Sequence, residues 1–137
     1  MNSSLSAIIK DANAKIIADG MLDDVEKYFT PDYSVNLTNK KLSGGFSTIQ
    51  STLSAQMRAF SNIEVKVEIL IEGVDRIAWQ RTMSATHSGA YKGFPASGQQ
   101  LIWRDMVVSQ IEGGRIKEEW LSTDLAEQLL LSRKSRR

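Results

Sequence analysis

The spacing of apolar residues changes near residue 63, and this change most constrains what the chain can fold into. Before it, apolar residues recur every three or four positions, as on one face of a helix. They are Leu5, Ile8, Ile9, Ala12 and Ile16, then Leu22, Val25 and Phe29, then Phe46, Ile49, Leu53, Met57 and Phe60. After it, apolar and polar residues alternate, which is typical of half-buried strands. The pattern predicts three helices followed by a strand-rich half.

Turn-forming residues set the expected limits of the N-terminal elements. The first helix should begin after Ser3-Ser4, whose hydroxyls can cap it, and end at Asp19-Gly20. The second should stop at Thr30-Pro31, because the residue before proline disfavours helical angles. A short extended piece is then expected from Tyr33 to Leu37, and the composition of residues 38–45 is that of a loop.

Four strands are expected in the second half, with a brief helix after them. The predicted strands are Ile63 to Ile71, Ile77 to His87, Gln99 to Ile111, and Ile116 to Thr123. The glycine-rich segment from Ser88 to Gly98 interrupts them, and residues 112–115 are typical of a tight hairpin turn. The closing helix should begin at Asp124, since Asp124 and Glu127 have the spacing of a reciprocal cap.

Helices followed by consecutive strands indicate an α+β fold, with a curved antiparallel sheet covered by three N-terminal helices and enclosing a pocket. The 137 residues suffice for one domain and not for two. We therefore expect a single domain over residues 1–137, with frayed ends at 1–4 and 132–137.

Composition excludes several classes of function. There is no cysteine, so disulfides and thiolate chemistry are excluded, and the single histidine excludes a His-rich zinc site. No apolar run reaches about 18 residues, so no membrane-spanning helix is expected, and a cytoplasmic protein is the default. Four of the seventeen basic residues lie in residues 133–137, but no aromatic accompanies them. This tail fits a solvated terminus better than a nucleic-acid-binding segment.

Residues 87–124 contain an ordered series of motifs. The series begins with His87-Ser88-Gly89 and continues with Gly93-Phe94-Pro95 and Gly98. It ends with Gly114 to Trp120, in the last predicted strand and the turn before it, and with Asp124. This series resembles the SnoaL-like polyketide cyclase family, within the nuclear-transport-factor-like and ketosteroid-isomerase-like superfamily. The resemblance implies a cone-shaped α+β barrel, a deep pocket, frequent homodimers, and no metal or organic cofactor. Characterised relatives close polyketide rings by an aldol step, with a carboxylate as acid/base.

Three residues are candidates for proton transfer next to a carbonyl. Asp124 matches the family's terminal Asp, although its position also fits a helix N-cap. His87 matches the family's His; it either donates to a substrate oxygen or anchors the loop that follows. Asp105 shares a strand face with apolar residues, which would raise the pKa of a carboxylate that faced a cavity. The alternation along the strand does not show which of its two faces is buried. The alternative is therefore that Asp105 is a carboxylate on the protein surface or in a dimer interface.

Six further residues are candidates for contact with a substrate: Tyr33, Asn36, Arg81, Trp103, Glu118 and Trp120. Arg81 would hold an anionic group of the substrate or neutralise a buried carboxylate. Glu118 and Trp120 are predicted to share the face of Ile116, with Trp120 either packed on helices or forming an aromatic wall. Tyr33 and Asn36 would supply donors near the pocket mouth.

The expected function is therefore that of a cyclase or isomerase acting on a small apolar or aromatic carbonyl compound. The alternative is a non-catalytic ligand-binding or dimeric assembly module on the same scaffold. Leu121 favours the alternative, because the family's cyclases often have a carboxylate directly after the Trp. Neither a phosphate-binding glycine loop nor a nucleophile elbow is visible.

Overall fold

The computed structural model describes residues 4–134 of the chain. The helical elements are, in order, α1 (Leu5–Ala12), a π-helical segment (Asn13–Ala18), a 3₁₀ turn (Leu22–Asp24), α2 (Val25–Tyr28), α3 (Phe46–Ala59) and α4 (Leu125–Lys134). The strands are β1 (Phe29–Asn36), β2 (Lys41–Leu42), β3 (Phe60–Glu72), β4 (Arg76–His87), β5 (Gln100–Glu112) and β6 (Arg115–Thr123). The α+β class and the three-helix N-terminal half are confirmed.

The six strands form one curved sheet in the order β2-β1-β6-β5-β4-β3. Four of the five neighbouring pairs are antiparallel, but β1 runs parallel to β6. A parallel neighbour requires a long crossover, which α3 and the strands β3 to β5 provide here. The sheet is therefore mixed. It also remains open, with β2 and β3 at its edges, so the cone does not close into the barrel that the resemblance implied.

The second helix ends earlier than the proline rule predicts. α2 stops at Tyr28, and Phe29 already has extended angles, φ −125 and ψ 150. Phe29 pairs with Ile116 of β6. Pairing with the sheet thus ends the helix before Pro31 can, and it makes β1 longer than the predicted extended piece.

The inner face of the sheet carries Trp79 and Met83 of β4 and Leu101 and Trp103 of β5. Trp79 and Trp103 are each 2% exposed, whereas Ile102 on the other side of β5 is 59% exposed. The alternation along β5 did not show which of its faces is buried. In the structure Asp105 is 4% exposed and points inward with Trp103. The helices cover this inner face, and the outer face of the sheet remains partly open.

A β-bulge in β6 reverses the predicted orientation of its second half. Ile116 pairs with Ile111 of β5, but the next pairing joins Glu118 to Gln110, so Lys117 is an extra residue. A bulge shifts the alternation of side chains by one position. Ile116 and Glu119 consequently face inward, at 2% and 8% exposure. The prediction that Glu118 and Trp120 share the face of Ile116 is wrong.

Part of the chain that we expected to fray belongs to helices. Ser4 caps α1 through a 3.1 Å hydrogen bond that its hydroxyl accepts from the amide of Ala7. At the other end, α4 runs to Lys134. Residues 1–3 and 135–137, which include two of the four basic residues of the tail, lie outside the described residues.

Candidate functional site

A cavity of about 230 Å³ lies between the inner face of the sheet and the helices. An apolar cavity of roughly 150 Å³ is enough to admit benzene, so this one has room for a ring-sized organic molecule. Most of its lining is apolar and comes from the π-helical segment, β1, α3, α4 and the inner face of the sheet; it includes Ile17, Phe29, Val35, Ile49, Leu53, Trp79, Trp103, Ile116, Leu121 and Leu125.

An ion pair is built into the wall of this cavity. Arg81 donates to Oδ2 of Asp105 from Nε at 2.9 Å and from Nη2 at 2.8 Å. Its Nη1 donates to the side-chain oxygen of Asn13 at 2.9 Å, and the Asn13 amide donates to the carbonyl of Ile9 at 2.9 Å. Asn13 is the first residue of the π-helical segment, a kind of helix that is frequent at functional sites. Asp105 is thus the anionic member of a fixed, buried pair.

A second carboxyl group, that of Glu119, lies on the same cavity within a chain of hydrogen bonds. The Tyr33 Oη lies 2.7 Å from its Oε1, and the Ser109 hydroxyl donates to its Oε2. Trp79 Nε1 donates to the Ser109 oxygen at 2.9 Å. Because an indole nitrogen can only donate, the Ser109 hydroxyl accepts from Trp79 and donates to Glu119. In this arrangement Oε2 of Glu119 accepts from Ser109, which leaves Oε1, beside Tyr33, as the oxygen available to carry a proton.

The surroundings favour the neutral form of this carboxyl. Burial raises the pKa of Glu119, and the hydrogen bonds from Ser109 and Tyr33 and the charge of Arg81 only partly offset that effect. Burial, together with the charge of Glu119, also raises the pKa of Tyr33 well above its ordinary value. Tyr33 donates to Oε1 of the ionised carboxylate. A proton on Oε1 would reverse this bond, so that Oε1 donates to the Tyr33 oxygen. The Tyr33 hydroxyl hydrogen is then free to point toward a ligand in the cavity.

Asp124, the first candidate from sequence, does not line the cavity. Its Oδ1 accepts from the backbone amide of Arg104 at 2.7 Å and its Oδ2 from the side chain of Gln128 at 3.4 Å. It does not form the predicted reciprocal cap either, because the Asp124 amide, which the Glu127 side chain would accept from, donates to the Arg104 carbonyl at 3.3 Å. Asp124 joins the start of α4 to β5.

His87 is 1% exposed and also lies away from the cavity lining. Its ring stacks on Phe60 with centroids 5.2 Å apart, and its Nδ1 lies 3.3 Å from the Ser97 hydroxyl. Its backbone bonds to Gln99 at 2.9 Å and to Gly98 at 2.8 Å. These contacts close the base of residues 88–98, which we call the excursion, and they agree with the anchoring interpretation of His87.

The start of the excursion is fastened to the end of α3. The amides of Ser88 and Gly89 donate to the carbonyl of Ala59 at 2.9 and 3.0 Å. A Cβ on Gly89 would lie 2.2 Å from the carbonyl oxygen of Arg58, so this approach requires glycine. Farther along, the excursion brings Tyr91 and Lys92 to the cavity.

The six predicted binding residues divide between the two faces of the sheet. Tyr33, Arg81 and Trp103 line the cavity together with Asp105. Asn36, Glu118 and Trp120 do not line it. Asn36 donates to Glu118 at 2.9 Å, Glu118 forms an ion pair with Lys41 at 3.2 Å, and the guanidinium of Arg76 lies 5.0 Å from the Trp120 ring centre. The bulge in β6 accounts for Glu118 and Trp120, whereas Asn36 follows Val35, a lining residue, on the opposite face of β1.

Three polar residues of the site were not predicted from the sequence, namely Asn13, Ser109 and Glu119. Asn13 interrupts the apolar stripe of the first helix at a position that the structure buries. Ser109 lies two residues after Val107 on the inward face of β5, so strand alternation could have identified it. Glu119 carried no such signal, because regular alternation placed it outward.

The described residues contain neither a metal-binding cluster nor a membrane-spanning helix. Among residues 4–134, no three His, Cys, Asp or Glu side chains lie close enough together to hold a metal ion. No helix within the same range has the length and apolar character needed to cross a membrane.

Comparisons with known proteins identify both a family and a fold. Residues 7–130 match the family described as SnoaL-like polyketide cyclase. No curated protein matches the sequence. The fold is similar to that of AclR from Streptomyces galilaeus, a candidate hydroxylase, with a TM-score of 0.81, 22% identity, and 96% and 82% of the two chains covered.

Two other solved structures are similar along almost their whole length. A candidate polyketide cyclase from Acidithiobacillus ferrooxidans has a TM-score of 0.79 and 23% identity, with 97% of this chain and 99% of that chain covered. A SnoaL-like polyketide cyclase from Agrobacterium tumefaciens has a TM-score of 0.77 and 16% identity, with 96% and 98% covered. At these identities the likeness concerns the fold.

Proposed function

Because this chain belongs to the SnoaL-like polyketide cyclase family, we propose that it moves a proton next to the carbonyl group of a small apolar compound held in its cavity. A cyclase or an isomerase begins with this step. The apolar walls would hold the carbon skeleton, and the polar groups of the wall would act on the carbonyl and its neighbouring carbon.

The base in this proposal is Asp105. As the anionic partner of Arg81, it has a carboxylate that can accept a proton, and it lines the cavity at 4% exposure. Only its Oδ2 receives the two guanidinium bonds. Oδ1 takes the proton from the carbon next to the carbonyl.

The donor to the carbonyl oxygen is Tyr33, oriented by Glu119. As the proton leaves carbon, negative charge develops on the carbonyl oxygen, and a fixed hydroxyl donor stabilises it. In this proposal Glu119 carries a proton on Oε1 and donates it to the Tyr33 oxygen, which reverses the bond that Tyr33 donates to the ionised carboxylate and directs the Tyr33 hydroxyl away from Glu119. The enolate then either takes the proton back at another carbon, giving an isomer, or attacks a second carbonyl of the same molecule. In the second case Asp105 returns its proton to the new alkoxide.

One observation carries this assignment: two buried carboxyl groups on one cavity have different partners. Asp105 is paired with a guanidinium, whereas Glu119 is surrounded by neutral donors, and burial raises its pKa. Two carboxyls in unlike surroundings are the usual basis for separate roles as base and acid.

The experiment follows exchange of the α-protons of 2-tetralone, a bicyclic ketone, in D₂O by proton NMR. We expect Asp105→Asn to lower the protein-catalysed exchange rate by roughly 100- to 10,000-fold. Tyr33→Phe should lower it by roughly 100- to 1,000-fold. Asp124→Asn is the matched control and should leave the rate unchanged, because Asp124 lies outside the cavity.

Three outcomes would contradict this assignment. Loss of exchange in Asp124→Asn alone would return the base to Asp124. Exchange that is unaffected in the Asp105→Asn and Tyr33→Phe variants would remove both residues from the mechanism. Binding of the ketone with no protein-catalysed exchange would support a ligand-binding module instead.

A further inference from the structure

One cation on the wall of the cavity has no ion-pair partner among residues 4–134. The lining contains two basic side chains, Arg81 and Lys92. Arg81 is paired with Asp105 at 2.8 Å. The ion pairs found among residues 4–134 do not include Lys92. An anionic group on a ligand can therefore pair with Lys92 without displacing a carboxylate of the protein.

Lys92 also has a backbone conformation that lysine rarely adopts. Tyr91 and Phe94 exchange backbone hydrogen bonds of 2.9 and 2.8 Å around a two-residue turn. In this turn Lys92 has φ 45 and Gly93 has φ 85, as in a type I′ turn. Asn, Asp and Gly are the residues that such positions favour. A long side chain in a disfavoured conformation beside a cavity is a candidate for a functional role.

The position of Lys92 fits the mouth of the cavity. Lys92 is exposed, and its Nζ lies 5.4 Å from the ring centre of half-buried Tyr91, which also lines the cavity. Gln56 and Thr52 of α3 add polar groups to the same lining. The cation thus lies where the apolar interior meets solvent, and it can remain hydrated until a ligand arrives.

We propose that the cavity selects carbonyl compounds that carry a carboxylate, with the carboxylate on Lys92 at the mouth and the ring system in the apolar interior. The inference rests on the proposed function only in that both require a ring-sized ligand in this cavity. It adds the charge of that ligand and the residue that recognises it.

The test compares two probes of equal shape, 2-naphthoate and the neutral 2-naphthamide, by isothermal titration calorimetry at low ionic strength. We expect the protein to bind the naphthoate about five-fold more tightly, the usual worth of one exposed charge pair. Lys92→Gln should remove this preference and leave the affinity for the naphthamide unchanged. Lys92→Arg should keep it. Lys66→Gln, which removes a positive charge from the exposed face of β3, is the matched control and should also keep it.

The outcomes separate this inference from the proposed function. Equal binding of both probes to the unaltered protein, or a preference that persists in Lys92→Gln, overturns the role of Lys92 and leaves the cavity a binding site. If neither probe binds to any variant, the cavity does not accept a ring-sized ligand, and both the inference and the proposed function fail.

Discussion

At the scale of single residues, the Arg81–Asp105 pair is the contact on which both stability and the proposed chemistry depend. The two side chains are only 12% and 6% exposed. Removing water from two charges is costly, and their attraction offsets this cost only when both are present. Each partner is thus tolerated in the interior because of the other.

We expect Arg81→Met to lower the free energy of unfolding by about 3–5 kcal/mol, because it leaves the Asp105 charge buried without a partner. The double variant Arg81→Met/Asp105→Leu should recover most of this loss. Urea denaturation measures both values. Lys66→Met on the exposed face of β3 is the control, with an expected change within about 0.5 kcal/mol. A double variant no more stable than Arg81→Met would contradict this account.

Glu119 should make stability depend on pH. Burial raises its pKa above the ordinary value of 4.5, so the unfolded chain loses this proton at a lower pH than the folded protein does. Its contribution to stability is therefore complete below the ordinary pKa and declines as pH rises toward the folded pKa. The Glu119→Gln variant has no titratable group at this position, so this contribution to the pH dependence of stability is absent from it.

We expect the free energy of unfolding of Glu119→Gln, relative to that of the unaltered protein, to increase as pH rises. Urea denaturation from about pH 4 to about pH 8 covers the relevant range. Glu64→Gln, at an exposed position of β3, should show no such trend. A constant difference across this range would mean that Glu119 titrates alike in the folded and unfolded chains.

At the scale of elements, the bulge in β6 decides which side chains meet in the cavity. Periodicity predicted α3 and the strands β3 to β5 closely, because helix and strand spacing reflect which face is buried. It could not predict the extra residue Lys117, because a bulge leaves no break in the apolar pattern of so short a strand. Because the bulge was not predicted, Glu118 and Trp120 were expected in the site and Glu119 was expected outside it.

Four residues of β1, β4 and β5 show what the sequence could predict. Tyr33, Arg81, Trp103 and Asp105 were all identified from their types and their spacing, and the structure brings them to one cavity. Asp124 was misplaced because its motif position says nothing of the Arg104 amide that holds it. Contacts between strands depend on register, which a single strand's sequence does not contain.

The bulge yields a prediction about deletion. Removing Lys117 would leave Ile116 and Glu118 as consecutive residues on opposite faces, so Ile116 and Glu119 would both stay inside. We expect this variant to fold, because it loses only the exposed contacts of Lys117 with Glu112 and Asp32, and exposed ion pairs contribute little to stability. Deleting Val108 from the regular β5 should instead prevent folding. Circular dichroism and thermal melting distinguish the two, and equal damage from both deletions would contradict the assigned bulge.

At the scale of the whole molecule, the outer face of the sheet carries a row of apolar side chains across four strands. Ile71 pairs with Ala78, Ala78 with Val108, and Val108 with Trp120. Beside this row, Met106 is 44% exposed. A contiguous apolar surface on a soluble domain commonly marks an interface. A second copy of the chain is the partner that the family resemblance suggested.

We propose that two copies associate through this face, and we expect Met106→Glu to shift the protein toward monomer, because each interface would then bury two unpaired charges. Sedimentation equilibrium measures the association. Ala126→Glu, at an exposed position on α4, should leave it unchanged. A monomeric unaltered protein, or dissociation by Ala126→Glu alone, would contradict this interface.

The attachment of the excursion has a consequence for how such a protein can diversify. His87, Gly89 and Gly98 fasten both of its ends with backbone hydrogen bonds, and none of these bonds involves the residues between Ala90 and Ala96. New sequences inserted there would change the rim of the cavity while the strands on either side kept their pairing. Variation in this one segment could alter what the chain admits without selection having to rebuild the scaffold.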